Sequence, residues 1–236
     1  MTVDPGTSAG TVADRLTRLR ARIAAAESAA GRPPGSVRLL LATKTQDAET
    51  VRAALVADAG QPVLVGENRV QELVAKGPLF RDLHVPTHLI GPLQSNKVTA
   101  ALRWASCIES VASLGLAQRL AARADGLEVY VQVNVSGEPT KHGVAPAQAV
   151  DLAGAVAALD GLRLGGFMTV GANSPDADVV RGGYALLRSI RDEVVAAGVP
   201  GARELSMGMS GDLELAIAEG ATIVRVGSAV FGARPA

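Results

Sequence analysis

The sequence predicts a single (β/α)8 TIM-type barrel that is preceded by an extra N-terminal helix. Eight short apolar runs alternate with longer amphipathic runs along the chain. This alternation implies parallel strands joined by right-handed crossovers, and eight such units close into a barrel. The chain has 236 residues and is 48% hydrophobic, which suits one domain with a large core. A doubly wound open sheet is the alternative fold.

The extra helix comes first in the predicted order. From Thr11 onward, apolar residues recur at helical spacing, and Gly31 with the Pro33-Pro34-Gly35 cluster ends the pattern. We expect residues 1–10 to be disordered, so the predicted domain covers residues 11–236.

The barrel units follow in order, each with an apolar run and then a helical pattern. The predicted strands are Val37–Ala42, Pro62–Val65, Thr87–Ile90, Ala105–Glu109, Leu127–Val135, Leu162–Thr169, Arg203–Met207 and Thr222–Val226. The predicted helices between them are Ala48–Ala57, Arg69–Phe80, Asn96–Leu102, Ser113–Arg123, Pro146–Ala158, Ala177–Ala197 and Asp212–Ala218. Polar residues just after each strand should therefore share one mouth of the barrel, where barrel active sites lie.

Composition excludes several classes of function. The 23 basic and 23 acidic residues balance, and no basic tract occurs, so nucleic-acid binding has little support. A single cysteine, Cys107, rules out an internal disulfide and fits a reducing cytoplasm. We see no signal peptide and no apolar run long enough to span a membrane. The three histidines lack the carboxylate pattern of a metal site, so we predict no metal.

Lys44 is the first candidate for chemistry. It ends the nearly wholly apolar first strand, so its stem should start inside the barrel. Burial disfavours an ammonium and lowers the pKa of a lysine, and a neutral amine is what a Schiff base to an aldehyde requires. The alternative is a lysine whose amine reaches solvent from a strand end.

Two further segments suggest a phosphate site. The segment from Ser206 through Ser210 to Asp212 follows the seventh strand and offers hydroxyls, glycines and a helix start. Gly227 and Ser228 follow the eighth strand, and barrels often bind phosphate at the last two loops. The alternative is that Ser210 only caps a helix while the glycines form a turn.

Arg225 interrupts the apolar eighth strand. A buried guanidinium needs a partner, so this residue is either part of a ligand site or a structural arginine paired with a carboxylate.

Taken together, six segments resemble the YggS/PROSC family of pyridoxal 5′-phosphate (PLP) homeostasis proteins, from about residue 10 to Arg234. The His-x-Ile-Gly-x-Leu-Gln-x-Asn-Lys and Ser-Met-Gly-Met-Ser motifs, placed after a strand-ending lysine, are specific. The segments are Ala42–Thr45, Gly66–Asn68, His88–Lys97, Gly166–Thr169, Leu205–Ser210 and Val224–Ser228.

The resemblance implies a monomeric barrel similar to the N-terminal domain of alanine racemase, with PLP as its cofactor. It implies that Lys44 is the Schiff-base lysine and that Arg225 faces the pyridine nitrogen. The residues implied around the phosphate are Ser206, Ser210, Gly227 and Ser228, and those implied near the rest of the cofactor are Asn68 and Met168.

The resemblance also implies a function that the chemistry supports. An arginine at the pyridine nitrogen leaves the ring a weak electron sink, which suits holding PLP or a racemase with a second base. Alanine racemase takes that base from another domain and subunit, and Tyr130 and Tyr184 lie inside a predicted strand and helix. We therefore expect a cytoplasmic, non-enzymatic PLP carrier that supplies apo-enzymes and has no catalytic residue. The alternatives are a racemase-type PLP enzyme and a barrel for another phosphorylated ligand, with Lys44 making only an ion pair.

Overall fold

The computed structural model describes residues 11–58 and 60–232, and within them eight strands close into the predicted barrel. The strands are β1 Arg38–Ala42, β2 Val63–Glu67, β3 Thr87–Leu89, β4 Cys107–Val111, β5 Leu127–Gln132, β6 Leu162–Met168, β7 Glu204–Ser206 and β8 Ile223–Val226. The helices are α1 Val12–Ala29, α2 Ala48–Ala57, α3 Val70–Asp82, α4 Val98–Leu102, α5 Leu114–Ala121, α6 Pro146–Ala157, α7 Ala177–Ala196, α8 Leu213–Ala218 and α9 Ser228–Phe231.

Strand β1 closes the barrel. It pairs in parallel with β2 on one side and with β8 on the other, so that Leu40 lies opposite both Leu64 and Arg225. The remaining neighbours also pair in parallel and in chain order. This closure confirms the predicted barrel and excludes the open sheet.

Two hydrophobic layers hold the barrel together. The larger layer lies between strands and helices, and it includes Leu39 and Leu41 of β1 and Leu73 of α3, all fully buried. The smaller cluster joins six side chains from six strands: Leu40, Leu64, Cys107, Tyr130, Met168 and Ile223. The alternation of Leu39, Leu40 and Leu41 between the two layers follows from the two-residue period of a strand. The barrel centre is therefore packed, and ligands have access only at its ends.

The extra helix α1 is present, and Thr11 caps it. The Thr11 side chain accepts a hydrogen bond from the Asp14 backbone N–H, and the Asp14 carboxylate accepts one from Thr11 N–H. The helix packs against α2, α8 and α9, and Arg22 forms a 2.8 Å ion pair with Glu214 of α8. Residues 1–10, for which we predicted disorder, lie outside the described residues, as do residues 233–236.

Strand β2 extends further than predicted. The prediction ended at Val65, but the strand continues through Gly66 to Glu67, whose side chain is fully buried. Lys76 and Thr43 both donate to the same oxygen of the Glu67 carboxylate, which offsets part of the cost of burying a charged residue at the end of an apolar strand. The other oxygen, Oε2, is buried and has no hydrogen-bond partner among the described residues. Among the described helices, none is long and apolar enough to cross a membrane.

Candidate functional site

A cleft of about 600 Å³ opens at the carboxyl ends of the strands. A volume of this size is typical of small-molecule sites. Its walls come from the loops after β1, β2, β3, β6, β7 and β8, and they include Ala42, Lys44, Thr45, Gln46, Asn68, Ile90, Val170, Met209, Ser210, Gly211, Arg225, Gly227, Ser228, Phe231 and Gly232. A second cleft, of about 530 Å³, lies at the amino ends of β1 to β3. Barrel ligand sites lie at the carboxyl end, so we assign the functional site to the first cleft.

Lys44 lies at one wall of the cleft, two residues beyond the end of β1. It is half-buried and occupies a turn that is closed by a 3.1 Å hydrogen bond from Gln46 N–H to the Thr43 carbonyl. The lysine therefore lies on a short, defined turn at the rim of the barrel.

The loops after β7 and β8 meet at the wall next to the end of β1. The hydroxyl of Ser228 donates to the Ser210 hydroxyl over 3.2 Å, and the Ala229 backbone N–H donates to the Ser210 hydroxyl over 3.4 Å. At Gly227, a Cβ atom would lie 3.1 Å from the Ala42 carbonyl oxygen, so glycine lets the two strand ends approach closely. Hydroxyls and backbone N–H groups converging in this way can bind the oxygens of a phosphate group.

Arg225 reaches the cleft from the interior of the barrel. Its guanidinium is buried and donates to the Ser206 hydroxyl over 2.9 Å and to the Thr169 carbonyl over 2.6 Å. The Ser206 hydroxyl in turn donates to Glu109 over 2.5 Å, and the other oxygen of Glu109 lies 2.6 Å from His88 Nδ1. A continuous chain of polar contacts thus links Arg225 through Ser206 and Glu109 to His88.

Opposite charges stabilise this chain of contacts in the buried interior of the barrel. Burial lowers the pKa of Arg225, and the carboxylate of Glu109 opposes that shift. Burial alone would raise the pKa of Glu109, but the hydrogen bond and charge of His88 and the charge of Arg225 leave that pKa below its usual value. The carboxylate therefore stays ionised at neutral pH and holds the guanidinium in place.

Six of the eight predicted site residues line the cleft: Lys44, Asn68, Ser210, Arg225, Gly227 and Ser228. Met168 and Ser206 do not. They lie opposite each other in the β6–β7 register with their side chains fully buried, and Val170 and Met209 line the cleft instead. Ser206 thus contacts Arg225 and does not line the cleft.

The sequence analysis missed Glu109. Its carboxylate lies within the strand Cys107–Val111, where the other side chains are also buried, so a charge inside an apolar run was the one available indication. Among the described residues, no group of three His, Cys, Asp or Glu side chains could hold a metal ion.

We expect Glu109→Gln to lower the free energy of unfolding at pH 7, and the deficit to shrink on acidification. The folded-state pKa of Glu109 is lowered, so its stabilisation is complete above the unfolded-state pKa of about 4.3 and is lost as pH falls through the folded-state pKa. Urea unfolding of both proteins between pH 7 and pH 3 measures this difference. A difference that is constant over the range, like that of the exposed control Glu193→Gln, would contradict the assignment.

We expect Gly91→Ala to disturb the Asn68 side of the cleft. An added Cβ would lie 2.1 Å from the Asn68 backbone oxygen, so the two loops must separate. Overpacking of this kind costs about 1–3 kcal/mol, which lowers the Tm of a domain of this size by several degrees. The control Gly154→Ala, in mid-helix with no atom within 4 Å of the new Cβ, should raise the Tm slightly. Equal Tm values for the two variants in thermal melts would refute this expectation.

The closed parallel barrel and the cleft with a lysine after β1 define the class of protein: a (β/α)8 barrel with a cleft of small-molecule size at the carboxyl end. Residues 15–235 match the family "Alanine racemase, N-terminal domain". The chain is 41% identical over 228 residues to the pyridoxal phosphate homeostasis protein of Pseudomonas aeruginosa, which covers 95% of this chain and 96% of that protein. The chain therefore belongs to the family of pyridoxal phosphate homeostasis proteins, as the resemblance of its motifs indicated.

Two solved structures share the fold. The PipY structure from Synechococcus elongatus PCC7942, with PLP bound, is 35% identical, with a TM-score of 0.81 over 94% of this chain and all of that one. An alanine racemase from Clostridium difficile 630 has a TM-score of 0.71 at 17% identity, over 94% of this chain and 58% of the racemase. At that identity the racemase supports the fold alone.

Proposed function

We propose that this protein binds PLP in the cleft through a Schiff base with Lys44, and that it stores the cofactor and supplies it to apo-enzymes. One observation carries the proposal: a single cleft brings together a lysine amine, a buried arginine and a cradle of hydroxyl and N–H groups. These groups match the aldehyde, the ring nitrogen and the phosphate of PLP. The PLP-bound PipY structure, on the same fold at 35% identity, supports it.

Each residue has a distinct part in this proposal. Lys44 would supply the amine that forms a C=N bond with the aldehyde carbon of PLP, with the aldehyde oxygen released as water. Ser210, Ser228 and the backbone around Gly227 bind the phosphate, and Asn68 lines the wall on the β2 side. Arg225 would supply a charged donor to the ring nitrogen and would disfavour protonation of that nitrogen, because guanidinium groups stay protonated.

The same features favour storage over catalysis. PLP enzymes that remove a proton from the substrate draw electrons into a protonated ring, and a guanidinium partner disfavours that state. A racemase also needs a second base across the ring. Tyr130 and Tyr184 are both fully buried, and Tyr184 donates to Asp212 over 2.8 Å, so neither lines the cleft. We propose accordingly that the chain carries PLP without turning over a substrate.

We further propose that the chain acts as a monomer in the cytoplasm. Its described helices include no candidate membrane span, and its one cysteine, Cys107, is buried and free, as a reducing compartment permits. The P. aeruginosa relative is named for PLP homeostasis, which fits a reservoir that exchanges cofactor with other proteins.

An absorption titration tests the proposal. PLP added to the purified protein should produce a visible band that saturates at one equivalent and shifts on borohydride reduction. Lys44→Ala should abolish that band, whereas Lys97→Ala, a half-buried lysine outside the cleft, should retain it. An unchanged band in Lys44→Ala would refute the Schiff base. Saturable phosphate binding without a band would favour another phosphorylated ligand, and racemisation of amino acids by the loaded protein would favour the racemase.

A further inference from the structure

Three charged side chains surround the turn that carries Lys44. They are Glu67 at the end of β2 and Glu72 and Lys76 on α3, and we call these three residues the α3 clamp. Lys76 is only 6% exposed, and its Nζ lies 2.8 Å from Glu67 and 3.6 Å from Glu72. A buried cation between two carboxylates is costly to assemble, so its contacts call for an explanation.

The α3 clamp forms hydrogen bonds with Thr43, the residue before Lys44. The Thr43 side chain is fully buried; its hydroxyl donates to Glu67 over 2.6 Å, and its carbonyl accepts from Lys76 Nζ over 2.7 Å. The hydroxyl and the carbonyl of Thr43 thus each have a charged partner, and such partners form stronger hydrogen bonds than neutral ones.

The α3 clamp also forms a hydrogen bond with Thr45, the residue after Lys44. The Thr45 backbone N–H donates to Glu72 over 2.7 Å, and Thr45 has a φ of +65°. A β-branched residue rarely adopts this left-handed conformation, and turns that need a positive φ at the third position usually place Gly or Asn there. An outside contact must therefore hold Thr45 in place, and Glu72 supplies it.

We propose that Glu67, Glu72 and Lys76 are positioning residues that fix the turn on both sides of Lys44 and so direct its amine into the cleft. None of the three lines the cleft, so they act through the Thr43 and Thr45 backbone. The inference rests on the proposed function, in which Lys44 bonds the cofactor. In this proposal Lys76, itself an amine near the barrel rim, has a positioning role: its Nζ donates to the Thr43 carbonyl and pairs with two carboxylates.

Glu72→Gln is the variant of choice to test the clamp. Removing Lys76 would leave the fully buried Glu67 without its cation and destabilise the whole chain. Glu72 is 23% exposed at its side chain, so its substitution spares the fold while it weakens the contact to Thr45 N–H. Glu219→Gln is the control: Glu219, whose side chain is 10% exposed, pairs with two arginines, Arg181 and Arg188, on the α7–α8 side of the barrel.

The visible absorption band measures the rate and the Kd of PLP uptake at Lys44. The Tm of each apo-protein is measured separately. Loss of a charge-assisted hydrogen bond predicts that uptake by Glu72→Gln is slower and weaker by about tenfold, and that Glu219→Gln matches the wild type. Adding Thr45→Asn to Glu72→Gln should restore much of the rate, because Asn adopts a positive φ readily. If Glu72 only stabilised the fold, Glu72→Gln would change the Tm, and Thr45→Asn would not restore the rate of PLP uptake.

The outcomes separate the two proposals. If wild-type protein takes up no PLP at Lys44, the proposed function fails. If the wild type binds PLP but Glu72→Gln and Glu219→Gln take it up at the same rate, or Thr45→Asn restores nothing, then the positioning role is overturned while the proposed function stands.

Discussion

Arg225→Leu is expected to destabilise the protein by about 3–5 kcal/mol and to abolish measurable PLP binding. The substitution removes the guanidinium that, together with His88, compensates the buried Glu109, and it removes the Arg225 hydrogen bonds to the Ser206 hydroxyl and the Thr169 carbonyl. Removing a buried cation that compensates a nearby buried carboxylate, together with the hydrogen bonds that it donates, is expected to cost about this much. For a domain of this size the Tm should fall by about 10 °C, as measured by calorimetry.

The double variant Arg225→Leu with Glu109→Gln separates stability from binding. Neutralising Glu109 as well removes the buried charge that Arg225 helped to compensate. Most of the decrease in Tm should therefore be reversed. PLP binding should not return, because the donor at the ring nitrogen is still missing. Recovery of both properties would show that Arg225 supports the barrel and has no direct contact with the cofactor. A single variant as stable as the wild type would contradict the buried chain of contacts.

Ser228→Asp is expected to weaken PLP binding by about ten- to a hundredfold. Ser228 Oγ lies 3.2 Å from Ser210 Oγ, so the new carboxylate would stand beside the proposed phosphate position. Two like charges about 4 Å apart repel by about 1 kcal/mol in water and by about 4 kcal/mol near a protein surface. Salt screens exposed charges, so the loss should be smaller at high ionic strength.

Ser228→Asn is the matched control for this charge. It has nearly the same size as aspartate and keeps hydrogen-bonding groups, and it should weaken PLP binding by only a few-fold. The Kd values come from absorption titrations of both variants at low and at high salt. Equal affinities for the Asp and Asn variants at low salt would place the phosphate elsewhere in the cleft.

The barrel could be predicted because its pattern is local. Eight apolar runs separated by amphipathic ones leave few topologies, and the observed strands coincide with the eight runs to within a few residues. Strand ends were harder to place. The prediction ended β2 at Val65, because a charged residue such as Glu67 is typical of a loop. Its place in the strand is explained only by its partner Lys76, which the structure reveals.

The site was predictable only where single residues were unusual. A lysine after an apolar strand and glycine-serine loops after β7 and β8 are visible in the sequence, and the structure brings them to one cleft. The hydrogen bond between Ser206 and Glu109 joins residues 97 positions apart, and no local pattern indicates it. The placement of Met168 and Ser206 inside the barrel depends on strand register, in which one residue decides which side a side chain takes.

The identity of the lysine that bonds PLP tests the account most directly. The chain has four lysines, Lys44, Lys76, Lys97 and Lys141, so the position of a reduced adduct is unambiguous. The loaded protein is reduced with borohydride, digested and sequenced by mass spectrometry. We predict one pyridoxyl group per chain, on Lys44. An adduct chiefly on another lysine, or none at saturating PLP, would contradict the account.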